Sequence, residues 1–312
     1  MRQKETDNIR KFFGHTDENG VSNLIKAKSA KIIRRVDTTD KNKSYEQSDT
    51  VMEDNGYPGV VEEEGKMIGF GIHIFNEDVY PLQSFEIYLR KCDLEGELDL
   101  SDSEDLIFVD LYHNKVNSVM LGNMPAMRIL GLQDNELYEI DPTGLPACQG
   151  IDIGMNHLVS IDVSHNPELV ELYINNNLFH EIDLSAVPKL KYFYCHGNCI
   201  EHLDTRNNPL LRHLNATDNP MISIRTLAPQ REEEIPLELY GEEGGYVGLK
   251  FNPVYNAQWK ETGEWSQSYY AYAKEGYVFE GWYENGEKVS EESIWYDTYG
   301  TGRILYAKFR KA

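Results

Sequence analysis

The chain is poor in cysteine, in basic residues and in long apolar runs, and it has no tryptophan before position 259. Four cysteines in 312 residues, Cys92, Cys148, Cys195 and Cys199, are too few for a disulfide-dense scaffold. Thirty Lys and Arg against 52 Asp and Glu leave a formal charge of −22. That balance argues against a partner bound through its phosphates and against docking to anionic membranes. No stretch approaches the roughly 20 apolar residues that a membrane helix needs, so no membrane insertion is expected. Residues 1–10 are polar and do not read as a secretory leader. The protein is then either intracellular or made with a leader upstream of Met1.

What the chain does have is a strict interval. Asn114, Asn135, Asn156, Asn177, Asn198 and Asn219 are each 21 residues apart. Around each lies one frame, for example Leu106-x-x-Val109-x-Leu111-x-x-Asn114-x-Val116 and Met127-x-x-Leu130-x-Leu132-x-x-Asn135-x-Leu137. Apolar residues and Asn in this spacing, at a period between 20 and 29, mark a stacked solenoid. A degenerate copy, Ile87-x-Leu89-x-x-Cys92-x-Leu94, precedes the six, with Cys in the Asn slot. Solenoid ends need a cap, so an irregular first coil is expected.

This spacing sets the fold class: mainly β, a solenoid of 21-residue coils. Alternating in-and-out residues give each coil a short strand, and stacked strands give a parallel sheet on the concave side. The Asn sits where the chain turns off the strand. Its amide both donates and accepts, which predicts a ladder satisfying backbone groups inside the turns. About ten residues return the chain to the next strand, which leaves room for tight turns or 3₁₀ segments. Cys148 and Cys195 take core positions of the frame, whereas Cys199 points outward.

Three regions are expected. Residues 1–84 are a polar segment and cap. Within them Ile9, Phe12 and Phe13 fit one face of a short helix, residues 38–50 read as loop, and Ile68, Phe70, Ile72 and Ile74 alternate like a strand. Residues 85–229 are the solenoid. Residues 230–312 hold all four tryptophans and many tyrosines, with Asn285-Gly286 as a hairpin signal. They read as a small β domain with Tyr277, Phe279 and Trp282 in its core.

The frame resembles bacterial leucine-rich repeats of the internalin type. That resemblance implies a right-handed solenoid whose concave sheet binds a partner. The tail, with Gly276-Tyr277-Val278-Phe279-Glu280-Gly281-Trp282-Tyr283, Asn285-Gly286 and Leu305-Tyr306-Ala307-Lys308-Phe309, is similar to a divergent internalin-type B repeat. Both modules on one chain imply a bacterial cell-surface or secreted protein, and a non-enzymatic recognition role for a protein or glycan ligand. A structural spacer and a cytosolic scaffold are the competing readings. An enzyme would need convergent acid, base or nucleophile groups, and the repeat phases supply none.

Phase within the frame nominates the concave residues: Phe108, Asp110 and Tyr112, Asp152, Glu171, Tyr173 and Asn175, Tyr192, Tyr194 and His196, His213, Asn215 and Thr217. Tyr173 and Tyr194 share a phase in successive coils and are expected about 4.8 Å apart at strand level. Tyrosine offers large contact area with a polar tip, the chemistry of a binding anchor. No metal or cofactor is expected. Seven histidines between 113 and 213 occupy different positions of the frame, and His196 and His213 lie about 13 Å apart along the strand, too far to share zinc. Cys195 and His196 are neighbours on a strand and face opposite ways, which argues against a thiol–imidazole pair. The acidic run 101–105 lacks the spacing and central Gly of a calcium loop. The sequons at Asn42 and Asn215 carry no weight in a bacterial protein.

Overall fold

The computed structural model describes residues 7–8, 11–23, 31–36, 83–101, 103–228, 235–258, 260–297 and 302–312. The loop expected at 38–50, the strand expected at Ile68–Ile74, the sequon at Asn42, and also Ile9, Asp102 and Trp259 lie outside the described residues. The chain divides into two compact units, Met1–His157 and Leu158–Ala312.

The first unit contains strands β1 (Lys31–Val36), β2 (Gln83–Tyr88), β3 (Glu95–Asp99), β4 (Leu106–Asp110), β5 (Lys115–Met120), β6 (Ile129–Gly131) and β7 (Gly150–Asp152). β1 runs antiparallel to β2, and β2, β4, β6 and β7 then stack in parallel. The register Phe108↔Ile129↔Gly150 and Asp110↔Gly131↔Asp152 is that of a 21-residue coil. Leu111, Leu132 and Ile153 align in one column with no solvent exposure. At the N-terminal end Phe12 and Phe13 are buried. Asn23 holds this cap to β3, donating to the carbonyl of Glu95 at 2.7 Å and accepting from its N–H at 3.0 Å.

The second unit continues the frame with β8 (Glu171–Tyr173), β9 (Tyr192–Tyr194) and β11 (His213–Asn215). These pair in parallel, with Glu171↔Tyr192↔His213 and Tyr173↔Tyr194↔Asn215 in register. The other strands are β10 (His202–Asp204), β12 (Ser223–Leu227), β13 (Pro236–Gly241), β14 (Gly245–Tyr255), β15 (Glu261–Ala273), β16 (Tyr277–Glu284), β17 (Glu287–Ser290), β18 (Ile294–Asp297) and β19 (Ile304–Lys311). β14 pairs antiparallel with β11, and β15 and β18 come next in the same sheet. A second sheet runs β10-β12-β13-β19-β16-β17. Asn285 and Gly286, both at positive φ (51° and 84°), close the β16–β17 hairpin. Trp282 is fully buried, whereas Tyr277 and Phe279 are only half-buried.

The Asn ladder forms as expected in both units. Asn156 Oδ1 accepts from Leu137 N–H at 3.0 Å, and its Nδ2 donates to the carbonyls of Leu132 and Ile153 at 3.0 Å each. Asn198 does the same with Phe179, Ile174 and Cys195. In the degenerate coil Cys92 N–H and Leu94 N–H both donate to Asn114 Oδ1. The return limbs consist of successive i→i+3 turns, as at Val163–Asn166–Leu169 and Leu184–Val187–Leu190. They depart from expectation in one respect. β3 pairs with β5, and β10 with β12, so some return limbs are themselves strands.

Candidate functional site

A position that phase turns outward is not thereby exposed. Phe108, Asp110, Asp152, Glu171, Asn175, His213 and Thr217 are all buried, and Tyr112, Tyr173, Tyr192, Tyr194, His196 and Asn215 are half-buried. The expectation that the first group stands free on the concave face is corrected. Residues in register on strands about 4.8 Å apart cover one another.

In the first unit Phe108 stacks on Tyr88 with centroids 4.8 Å apart, and Ile129 joins that apolar cluster. Asp110 is fully buried and pairs with the Arg90 guanidinium, while its Oδ1 accepts from Tyr112 N–H. Burial pushes its carboxyl up, against the pull of Arg90. Asp152 accepts from Gly154 N–H at 3.0 Å, and burial pushes its carboxyl up to about 7. These groups are internal polar structure and leave few free tips for a ligand.

The second unit differs. Tyr173 and Tyr194 meet edge to face at 5.1 Å, and the Tyr173 hydroxyl donates to Glu171 at 3.2 Å. Tyr192 stacks on His213 at 4.3 Å with planes 19° apart, and His213 in turn faces Tyr255 at 6.3 Å and 15°. The Tyr255 hydroxyl lies 3.3 Å from His213 Nε2. Rows thus run across successive strands, edge to face at Tyr173–Tyr194 and face to face at Tyr192–His213–Tyr255. Burial raises the Tyr192 phenol to about 12 and raises Tyr194 as well, so both are neutral donors at pH 7. Burial also lowers His196, whose buried Nδ1 has no hydrogen-bond partner among the described residues. Tyr194 and His196 are 6.4 Å apart.

Four residues of this cluster were missed in the sequence. Tyr255, Glu261 and Trp265 come from the β14–β15 hairpin, and Arg212 precedes β11. The Arg212 guanidinium pairs with Glu261 and lies 5.8 Å from the Trp265 ring centre. The 21-residue period carries no information on the chain beyond the last coil, so the hairpin's position was not legible. Cys195 is buried, and burial raises its thiol well above the ordinary value, as its core phase implies. Cys199 is half-buried. At the start of the run 101–105, Ser101 donates both its N–H and its hydroxyl to Asp99 Oδ1.

No protein-family model and no curated protein matches this chain. Several solved structures are similar to it over part of their length. A leucine-rich-repeat protein of Leptospira interrogans is 17% identical with a TM-score of 0.30, covering 32% of this chain and 27% of its own. The functional domain of InlJ from Listeria monocytogenes is 20% identical with a TM-score of 0.29, covering 40% of this chain and 37% of its own. The LRIM1/APL1C complex is 21% identical with a TM-score of 0.37, covering 44% of this chain and 32% of the matched one. The chain thus spans about a third of each. Its leucine-rich-repeat fold is established by its own coil register and Asn ladder.

Proposed function

We propose that this is a non-enzymatic recognition protein that binds a protein partner on the concave sheet of its second unit. The observation that carries the reading is the aromatic row Tyr173–Tyr194 and Tyr192–His213, in which three half-buried tyrosines are packed against ring neighbours. Rings already ordered by their neighbours lose little entropy on binding, which is what an anchor residue needs. Of the two ligand classes, protein is favoured over glycan. A sugar stacks on an open ring face, and here the faces of Tyr192 and His213 are turned to each other. The resemblance of the frame to internalin repeats, and of the tail to a B repeat, supports a bacterial surface or secreted setting.

The test is selection of displayed random linear peptides, alongside a panel of soluble xylan and chitin oligomers, against the intact protein and the Tyr173→Ala/Tyr192→Ala/Tyr194→Ala variant. Peptides that bind the protein and lose affinity for the variant support the reading. Binding indifferent to the three substitutions defeats it, and ring-dependent binding of the oligosaccharides replaces protein with glycan.

A further inference from the structure

The aromatic row does not end with the last coil. β14 pairs directly with β11, Leu214↔Phe251 and Asn215↔Lys250, and the β14–β15 hairpin runs on past the short coil strand. Its end delivers Tyr255 to the His213 ring, and Glu261 and Trp265 to Arg212. Trp265 is buried and stands 6.4 Å from Phe251, so this part of the hairpin is packed rather than loose. Tyr255 is 37% exposed, with one face toward His213, so it adds an accessible surface to the row.

Glu261 lies opposite Tyr255 in the hairpin register and shares its carboxylate with Arg212 in an ion pair at the surface, which an incoming cation can exchange at little cost. Glu261 and Arg212 are partly exposed, with side chains 39% and 42% open to solvent. The whole chain carries −22, so the field over the molecule attracts positive partners and favours their approach. A cation set beside phenol rings and the Glu261 carboxylate gains from both the ring quadrupole and the charge.

We propose that the β14–β15 hairpin is the end wall of the recognition surface, and that Glu261, set opposite Tyr255 and beside the Tyr192–His213 stack, receives a basic side chain of the polypeptide partner. The proposal rests on the concave-face reading above and adds to it the hairpin and the sign of the ligand. It makes the tail a contributor to specificity rather than a spacer.

The experiment uses displayed random linear peptides selected on the full chain, with enriched sequences resynthesised and titrated against Tyr255→Ala, Tyr255→Phe, Glu261→Gln and Tyr192→Ala. Tyr306→Ala on β19, in the other sheet, serves as the control. Thermal unfolding confirms that each variant is folded. The expected result is enrichment in Lys and Arg, with about tenfold or greater loss of affinity in Tyr255→Ala, Glu261→Gln and Tyr192→Ala. Tyr255→Phe keeps the ring and is expected to retain most of the binding, Tyr306→Ala all of it, and added salt weakens the complex. Peptides that depend on Tyr192 but not on Tyr255 or Glu261 overturn the hairpin proposal and leave the concave reading standing. Enrichment without basic residues overturns the cation site. Peptides indifferent to every variant, or no enrichment at all, overturn both.

Discussion

The residue just before each ladder Asn has a left-handed backbone in every clean coil: His113, Asp134, Met155, Asn176, Gly197 and Asp218, with φ between 53° and 70°. The chain must reverse there so that the next side chain can turn into the coil. Only one of the six is Gly, although L side chains pay about 1–2 kcal/mol in this region, with Asn and Asp the most tolerant. Two substitutions should therefore move stability in opposite directions. Gly197→Ala adds a Cβ at positive φ and within 2.3 Å of Asn176 Oδ1, and is expected to cost about 1–3 kcal/mol. Met155→Gly removes strain at an exposed site and is expected to stabilise slightly, by up to about 1 kcal/mol. Chemical denaturation of both measures the pair, and a loss at Met155→Gly equal to that at Gly197→Ala would sink the account. Gly197, Asn176, Asp134, Asp218 and His113 are residue types tolerant of this region, so Met155 is the one of the six whose type carries no left-handed signal. At the same scale, the core column was legible, since Leu111, Leu132 and Ile153 recur at one position of the frame and are all buried. Exposure was not, since it depends on which residues from neighbouring coils meet. Asp110 is the sharpest case: outward by phase, yet fully buried against Arg90, which sits 20 residues earlier.

At the scale of the coil, the Asn ladder replaces hydrogen bonds that a three-residue strand cannot make by itself. Asn156 satisfies one N–H of the preceding coil and carbonyls of both coils. Asn156→Leu fills the space but leaves those groups unpaired, and is expected to cost roughly 1–3 kcal/mol, read as a lower unfolding midpoint. Unchanged unfolding would mean that water or backbone shifts take over the role. The return limb has its own repeated device. Asp162, Asp183 and Asp204 each accept the N–H two residues on, from Ser164, Ser185 and Arg206. All three carboxyls are lowered, chiefly by the local side-chain and backbone hydrogen bonds. Asp152, in the first unit, is shifted the other way, up to about 7 by burial. The signs then separate. A carboxyl raised from 3.8 to about 7 binds its proton more tightly when folded, so stability falls as pH rises from about 4 to about 7 and is level beyond. The three lowered carboxyls stabilise above their unfolded values and lose that contribution as acid drops the pH through their folded ones. Unfolding measured from pH 3 upward should thus show a maximum on the acid side of neutrality. Asp152→Asn should flatten the slope between about pH 4 and 7, and a slope that survives the substitution would show that Asp152 does not set it.

At the scale of the molecule, the periodic part was readable because a solenoid repeats its own environment, so one coil describes the rest. The tail was readable only as β, by its aromatics and the Asn285-Gly286 turn. Which strands it would meet was hidden, since antiparallel pairing between Leu214 and Phe251 links unrelated stretches with no shared period. That pairing has a structural consequence. Within the second unit, β14 covers the open edge of β11, with Ala216 N–H donating to Leu249 carbonyl at 2.8 Å, and β13 covers β12 from Ser223↔Tyr240 to Leu227↔Pro236. Leu214, Ile224, Leu237, Leu239, Val247 and Leu249 are all buried. Cutting the chain after Ala228 would bare two strand edges and part of this apolar surface at once, a combination that favours aggregation. The tail is therefore expected to act as the cap of the second unit. A chain ending at Ala228 should melt well below the full chain or fail to stay soluble, and the added loss should be centred on residues 190–228, as hydrogen exchange can report. A truncated chain with full-length protection in that stretch would show instead that the coils close by themselves, and that the tail joins the sheet only to present its hairpin.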